Sequence, residues 1–293
     1  MTPRNALTFD LEEYFQVANY REAIPRSTWE ERERRSPAQV AALLEALREL
    51  ETRATFFVLG WVAEREPSLV REVQAAGHEI ASHGYDHRFV DDLGPEGFRE
   101  DLRRARGILE DLTGRRVEGF RASTFTVTER TPWALRTIAE EGFLYDSSIF
   151  PVRHPTYGIP GFPRHPVRLP LGDGLHLVEF PPLTLRLLGG NLPVGGGGYF
   201  RLFPWRLLDF ALRRANRADH PAALYLHPWE FDPDQPRVPG AGRLRTWRHR
   251  VGIRRSFAKL RRLLGRHRFA GMGEIVRDRF PIALPRHGVG GEG

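Results

Sequence analysis

Cysteine is absent from this chain of 293 residues, and lysine occurs once, at Lys259. Without cysteine there are no disulfides, thiolate zinc sites or cysteine nucleophiles, so a secreted disulfide scaffold is excluded. No stretch reaches the roughly 18 consecutive apolar residues of a transmembrane helix. The opening residues, MTPRNALTFDLEEYF, also lack the apolar core of a signal peptide. We therefore expect a cytoplasmic protein without a membrane-spanning segment.

Positive charge is carried mainly by arginine and is concentrated near the carboxyl end. The whole chain has 44 Lys and Arg against 37 Asp and Glu, a net charge of +7. Residues 237–268 contain eleven arginines, Lys259 and no acidic residue. Two interpretations stay open for this segment: a solvated face of a surface helix, or peripheral contact with an anionic inner membrane. No nucleic-acid-binding module accompanies the charge, so we expect no nucleic-acid partner.

Strand-like runs alternate with helical patterns along most of the chain. Apolar residues recur on one helical face after Ser36 and Pro37, where Ser36 is the expected N-cap. The predicted strands are 5–9, 54–59, 79–82, 119–121 and 222–226, and the predicted helices are 36–50, 67–76, 95–112, 131–141, 204–216 and 256–264. This alternation predicts a parallel α/β sheet or barrel.

Composition changes after Phe150. Residues 151–200 are rich in proline and glycine, including a glycine run at 195–198, and predict long loops with a short strand pair near 175–180. No GK[ST] follows the glycine run, so we interpret it as loop backbone rather than a phosphate cradle. We expect a single domain over residues 1–286, with 151–200 as an insertion, followed by a flexible tail at 287–293.

Charged and histidine side chains cluster at the predicted carboxyl ends of the strands, where parallel α/β folds place their functional residues. They are Asp10, Glu12, Glu13, His83, His87, Arg121 and His227. His83 and His87 are four residues apart, a spacing that lets two imidazoles reach one divalent metal ion. Each residue also has a structural interpretation, as a solvated charge, a structural ion pair or a packed histidine, and both interpretations stay open here.

Taken in order, these residues resemble the motifs of the polysaccharide deacetylase family, the NodB-type carbohydrate esterases. TFDLEE resembles the first motif and SHGYDH the second, which carries two metal-binding histidines. FRASTF resembles the third, an arginine motif, and LYLHPWE resembles the fifth. There are departures: Gly84 stands where Ser or Thr is usual, and no proline follows Arg121 closely.

Longer segments are similar to a subgroup found with exosortase and exopolysaccharide gene clusters. The segments are FDLEEYFQV, HEIASHGYDH, YDSSIFP, YGIPGFPR, GGGGYFR and LHPWEFDPDQPR, and the resemblance runs from about Leu7 to Val276. It implies a distorted (β/α) barrel with fewer than eight strands, in which the 151–200 insertion shapes the substrate groove.

The resemblance also implies roles for individual residues. Asp10 is the expected catalytic base, His227 the general acid and Arg121 the partner that holds Asp10. Glu12, His83 and His87 are the expected ligands of one divalent metal ion, Zn²⁺ in the first place, with Co²⁺ or another ion as alternatives. Glu13 competes with Glu12, but alternate strand residues share a face, which favours Glu12 alongside Asp10. The expected substrate contacts are Tyr14, Tyr85, Asp146 and Trp229, although core packing explains the aromatic residues equally well.

The activity implied is removal of N-acetyl groups from amino sugars of an exopolysaccharide or its lipid-linked precursor. One alternative is another C–N amide hydrolase on the same fold, similar to the allantoinase-like relatives; the Glu12, His83 and His87 set argues against it. A second alternative is a non-catalytic carbohydrate-binding protein. Binding alone requires neither a base nor an acid, so the presence of both Asp10 and His227 argues against that interpretation.

Overall fold

The computed structural model describes residues 3–281, and the expected tail at 287–293 lies outside them. The strands are β1 (Asn5–Leu11), β2 (Thr55–Val58), β3 (Glu79–Ser82), β4 (Gly119–Phe120), β5 (Tyr145–Asp146), β6 (Val167–Pro170), β7 (His176–Glu179), β8 (Thr184–Leu187), β9 (Gly190–Pro193), β10 (Ala223–Leu226) and β11 (Phe269–Ala270). The α-helices are α1 (Ser36–Glu49), α2 (Gly60–Arg65), α3 (Pro67–Ala75), α4 (Val90–Thr113), α5 (Ala134–Glu140), α6 (Gly197–Leu202), α7 (Trp205–Arg217), α8 (Arg243–Arg250), α9 (Ser256–Leu264) and α10 (Met272–Arg279).

Parallel strands form the centre of the molecule, in the order β10-β1-β2-β3-β4-β5-β7. Just after β7, Pro182 forms a parallel bridge with Ala223 of β10, so the sheet curls towards closure. This curled parallel sheet agrees with the implied distorted (β/α) barrel. In addition, β6 pairs antiparallel with β7 and β11 pairs with β1, which gives nine strands in the sheet over residues 3–281.

Strand β1 lies between β2 and β10 and is buried along its whole length. Its pairing with β10 places Phe9 opposite Leu226. The next residue on each strand is Asp10 and His227, respectively, so the register brings these two residues to the same edge of the sheet. The aromatic ring of Phe9 also stacks on Phe56 of β2 at 5.0 Å between ring centres, which fixes this strand within the core.

The start of α1 differs from the sequence prediction. Ser36 is the first helical residue rather than the N-cap, and its hydroxyl has no hydrogen-bond partner among the described residues. Instead, the Glu13 carboxylate accepts hydrogen bonds from the backbone amides of Arg35 and Ser36 at 3.0–3.1 Å. A carboxylate at this position satisfies amides that a helix start leaves unpaired and complements the helix dipole.

The 151–200 segment is more regular than predicted, because it contains the hairpins β6–β7 and β8–β9 and the start of α6. Its glycine run packs against β10: a Cβ on Gly196 would lie 1.6 Å from the Tyr225 carbonyl oxygen. The run therefore permits close backbone approach. Helices α2, α6, α8 and α10 have no counterpart in the sequence prediction. In the part of the chain that the structure describes, no helix is long and apolar enough to cross a membrane.

Candidate active site

A cleft of about 960 Å³ opens at the carboxyl ends of the parallel strands. Its lining includes six of the predicted residues, Asp10, Glu12, His83, His87, His227 and Trp229. The strand topology explains this convergence, because parallel strands end at the same edge of the sheet and their following residues meet there. Thr124 and Phe125, from the motif that lacks proline, form part of the cleft wall.

Glu12, His83 and His87 form a compact group of potential metal ligands. One ligand atom from each lies within 4.8 Å of the others, and all three residues are buried. His83 Nδ1 is 2.8 Å from the Arg121 carbonyl oxygen, which only accepts, so Nδ1 carries the proton and Nε2 keeps a free lone pair. Glu12 Oε2 is buried 2.9 Å from His87 Nε2 and makes no regular hydrogen bond among the described residues.

The protonation states of this group suit a cation. Burial opposes the ionisation of Glu12, but the nearby imidazoles of His87, His227 and His83 lower its pKa to about 2. Burial lowers the pKa of His83 to about 4, so its imidazole is neutral at pH 7. One carboxylate and two imidazoles are the donor set of many catalytic zinc sites, which keep a coordination position open. The residues present therefore fit a zinc-type ion.

The loop between the two histidines has a strained backbone. Gly84 has a φ of +75° and His87 a φ of +58°, and the Arg26 guanidinium donates hydrogen bonds to the carbonyl oxygens of Asp86 and His87. A Cβ on Gly84 would lie 2.7 Å from Asp101 Oδ2. Glycine at this position thus follows from both the left-handed backbone and the neighbouring carboxylate.

Asp10 and Arg121 form a fully buried ion pair. Arg121 Nη1 donates to Asp10 Oδ1 at 2.5 Å and to Thr8 Oγ1 at 2.8 Å. Its other terminal nitrogen donates to the Ser147 hydroxyl at 3.0 Å, and the guanidinium lies 4.0 Å from the centre of the Phe57 ring. The arginine therefore fixes one oxygen of Asp10 and leaves Oδ2 facing His227 Nε2 at 3.8 Å.

His227 is held by Glu230, which is held in turn by Arg201, and the sequence analysis did not identify either residue. Its Nδ1 is 3.1 Å from Glu230 Oε2, and Arg201 Nε donates to Glu230 Oε1 at 2.6 Å. Burial alone would lower the pKa of His227, but the hydrogen bond and charge of Glu230, together with Glu12 and Asp10, raise it to about 9. The spacing of His227 and Glu230 at i and i+3 after a strand was the available sequence signal for this contact.

Trp229 lies on the inner side of the cleft rather than on an open sugar-binding face. Its ring stacks between His227 and His249, with ring centres 4.9 and 4.2 Å away. Its Nε1 donates to Glu12 Oε1 at 3.1 Å. The indole therefore orients a candidate metal ligand.

Four predicted residues are placed away from the cleft. Tyr14 is buried against Phe15, Tyr85 donates to Glu64 on the surface, and Asp146 is buried beneath the turn after Arg121. The Asp146 carboxylate accepts from Ser148, whose hydroxyl accepts from the Ala122 amide, so Asp146 supports that turn instead of contacting a substrate in the cleft. Glu13 caps α1 and is not among the grouped ligands.

Comparisons with family models divide the chain into two matched parts. Residues 6–140 match the model described as polysaccharide deacetylase. Residues 147–277 match a domain of unknown function, DUF3473. The potential metal ligands and Asp10 lie in the first part, while His227, Glu230 and Arg201 lie in the second.

Curated relatives match about a third of the chain. A chitooligosaccharide deacetylase of Azorhizobium caulinodans is 38% identical over 87 residues, which are 29% of this chain and 41% of that protein. The peptidoglycan deacetylase-like protein FGM2 of Gibberella zeae is 33% identical over 97 residues, 33% of this chain and 28% of that protein. The match thus spans less than half the length of either relative.

Solved structures share the fold over nearly the whole chain. A structure titled as a putative polysaccharide deacetylase from Mycobacterium smegmatis has a TM-score of 0.62 at 23% identity and covers 94% of this chain and 90% of that one. A structure titled as PuuE allantoinase has a TM-score of 0.59 at 20% identity, with 96% and 91% covered. At these identities the likeness establishes the fold.

Proposed function

Residues 6–140 belong to the polysaccharide deacetylase family, and from this premise we propose that the chain is a metal-dependent N-deacetylase. The proposed reaction hydrolyses the N-acetyl group of an amino sugar within a polysaccharide, releasing acetate and a free amine. The observation that carries this proposal is the meeting of Asp10, His227 and the group Glu12, His83 and His87 in one cleft.

Glu12, His83 and His87 would hold the metal ion. A zinc-type ion bound there supplies Lewis-acid polarisation of the acetyl carbonyl and activation of water at neutral pH. Trp229 orients the Glu12 carboxylate through Oε1, and the Arg121 carbonyl orients the His83 imidazole. Such partners of metal ligands set their tautomer and direction.

Asp10 accepts one proton in the proposed reaction and His227 donates another. Arg121 occupies Asp10 Oδ1, so Oδ2 is the oxygen that accepts a proton as the water oxygen bonds to the acetyl carbon. His227 then gives the proton on Nε2 to the sugar nitrogen as the C–N bond breaks. Its raised pKa, about 9, keeps the imidazole protonated at pH 7, which this role requires.

The setting in exopolysaccharide synthesis, and action on a polymer or its lipid-linked precursor, are part of the proposal. Exposed apolar side chains at the cleft support a saccharide substrate: Trp247 and Leu202 line it and are 55% and 51% exposed. Flat and apolar faces at the rim of an open cleft suit sugar rings.

We place the protein in the cytoplasm, peripheral to an anionic inner membrane through residues 237–268. Helix α8 supports this contact, because it presents Leu244 and Trp247 to solvent beside Arg243 and Arg248. Apolar and basic side chains on one exposed helix match the requirements of an anionic bilayer surface.

Acetate release from N-acetylglucosamine oligomers tests the activity. We expect release that stops with a chelator and returns with added Zn²⁺ or Co²⁺. Turnover of a small ureide such as allantoin without turnover of the oligomers would assign the cleft to the alternative amide hydrolase. Tight binding of oligomers with no release in the metal-loaded protein would assign it to carbohydrate binding alone.

A further inference from the structure

A second cavity, of about 930 Å³, adjoins the catalytic cleft. One wall is the connection between α6 and α7, with Trp205, and the other is formed by residues 250–255 and helix α9. Five cations besides Arg201 line it, and we call this cavity the basic groove: Arg250, Arg254, Arg255, Lys259 and Arg262. Arg201, Leu202 and Val251 border both cavities, so one bound molecule can reach from the cleft into the groove.

The charge of the basic groove is not compensated by the protein. No Asp or Glu is among the residues that line it. Within residues 3–281, the side chains of Arg254, Arg255 and Arg262 form neither an ion pair nor a hydrogen bond. By contrast, Arg261 on the same helix pairs with Glu49, and Arg266 lies 3.5 Å from Asp209. Outside the groove, Arg261 of α9 and Arg266 just after this helix thus have acidic neighbours.

The other two cations, Lys259 and Arg250, stabilise the walls of the basic groove through hydrogen bonds to backbone carbonyl oxygens. Lys259 donates to the carbonyl oxygens of Phe200, Arg201 and Phe203, at 2.6–3.1 Å, which uses all three of its N–H bonds. Arg250 donates to the carbonyl oxygens of Gln235 and Pro233 at 2.7 and 3.0 Å. Their charges remain near the cavity, but all the donors of Lys259 and two of the five N–H donors of Arg250 are used by these backbone carbonyls. The remaining three arginines of the groove keep all their donors free within the described residues.

The fold holds these arginines around one space. Arg255, Lys259 and Arg262 fall at i, i+4 and i+7, on one face of α9. The Arg262 guanidinium stacks over Trp205 on the opposite wall, 4.8 Å from the ring centre. Gly252 has a φ of +75°, and a Cβ there would lie 2.4 Å from the Arg201 carbonyl oxygen, so glycine brings this loop close to α6.

We propose that the basic groove binds a phosphate or diphosphate group. The paired N–H groups of a guanidinium match the oxygens of a phosphate. Three arginines without protein partners carry more positive charge than one carboxylate ligand would balance, so they favour a multiply charged anion. The concave shape and size suit a phosphorylated headgroup. The phosphate belongs either to a phosphorylated saccharide that also occupies the cleft or to a lipid headgroup.

Binding of inorganic pyrophosphate by calorimetry tests this proposal in chelator-treated protein, where no metal competes for the probe. We expect saturable binding that weakens at least about tenfold when Arg254, Arg255 and Arg262 are replaced by Gln, because the charge-assisted hydrogen bonds to the phosphate oxygens are lost. The matched control replaces Arg243, Arg245 and Arg261, which removes the same charge outside the groove, and keeps its affinity. An Arg262→Lys single variant retains part of the binding.

Lack of binding by the wild type, or equal weakening in the control triple, overturns the proposal. Equal displacement of pyrophosphate by sulfate at the same ionic strength also overturns it. Displacement by N-acetylglucosamine 1-phosphate identifies a saccharide phosphate, and displacement by phosphatidylglycerol vesicles identifies a lipid headgroup. Since no arm depends on acetate release, a failed deacetylase assay and a failed binding assay remain distinguishable.

Discussion

The indole of Trp229 donates a hydrogen bond from Nε1 to Oε1 of Glu12 over 3.1 Å. This contact occupies one carboxylate oxygen and leaves Oε2 beside His87 Nε2 at 2.9 Å. Trp229 comes two residues after His227, so the loop that carries the candidate acid also orients a candidate metal ligand. The positions of the candidate metal ligand Glu12 and of the candidate acid His227 therefore depend on the same loop.

Replacing Trp229 by Phe should lower metal affinity by about 10–100-fold, the typical effect of removing a partner of a metal ligand. Zn²⁺ titration against a competing chromophoric chelator measures it. Trp29→Phe is the matched control, because the Trp29 indole N–H is buried without a hydrogen-bond partner in residues 3–281. Equal affinity in both variants would show that the Trp229 hydrogen bond does not tune the site.

Single replacements should separate metal binding from catalysis. We expect Glu12→Ala, His83→Ala and His87→Ala to lose bound metal, measured by elemental analysis after dialysis. Asp10→Asn should retain metal but lose activity by about 10²–10⁴-fold, the usual contribution of a positioned base.

Glu13→Ala should keep its metal and instead lose about 0.5–2 kcal/mol of stability in denaturant unfolding, since Glu13 caps α1. Loss of metal from Glu13→Ala with retention in Glu12→Ala would reverse the ligand assignment.

The pH dependence of kcat/KM should report the Glu230 contact. With His227 as the proposed acid, activity should fall as pH rises through its pKa, which Glu230 helps to raise to about 9. Glu230→Gln removes the negative charge and should move the alkaline limb to lower pH. Asp232→Asn removes a nearby buried charge that pairs with Arg35 and should leave the limb in place. If the alkaline limb of Glu230→Gln lay at the same pH as that of the wild type, Glu230 would not set the pKa of His227.

Gly84→Ser introduces the residue type usual in the family and should nevertheless be harmful. It combines a left-handed backbone with a Cβ placed 2.7 Å from Asp101 Oδ2, and we expect a loss of stability on the order of 1–3 kcal/mol with weaker metal binding. Gly114→Ser is the control, because Gly114 also has a positive φ, +62°, but a Cβ there would have no neighbour within 4 Å. Thermal unfolding of both variants measures the difference, and equal losses would assign the cost to backbone strain alone.

Co-sedimentation with vesicles should detect the membrane contact. We expect binding to phosphatidylglycerol vesicles that weakens with salt, since each basic residue near such a surface contributes about 1 kcal/mol. Arg243→Gln with Leu244→Gln on α8 should reduce binding. The control, Phe210→Gln with Arg217→Gln, removes one apolar and one basic side chain from α7, where Phe210 is also exposed. Equal binding to neutral vesicles would contradict an electrostatic contact.

The position of the site was accessible from the sequence, because parallel strands share an edge and the motif residues follow strands directly. That argument placed Asp10, His83 and His227 together. It could not anticipate contacts between distant segments. The Glu13 side chain reaches the start of α1, 23 residues away, and displaces Ser36 as the cap.

To predict the substrate contacts, one needs the direction in which each side chain points. Composition does not determine that direction. Tyr14 follows the motif closely in sequence but turns into the core against Phe15. Arg201 lies in the GGGGYFR segment, yet its link to Glu230 arises only because α6 packs against the loop after β10. The hairpins within 151–200 were missed for a related reason, since their strands are short and rich in glycine and proline.

The pairing of Phe9 with Leu226 joins the two matched parts of the chain directly before the proposed base, Asp10, and the proposed acid, His227. A slip of one residue between these strands would turn His227 to the opposite face of the sheet. An insertion within 223–227 would therefore displace the proposed proton donor, whereas a change of loop length elsewhere in residues 147–277 would leave the strand register intact. Loop remodelling can in this way reshape the cleft while the spacing of the proposed acid and base stays the same.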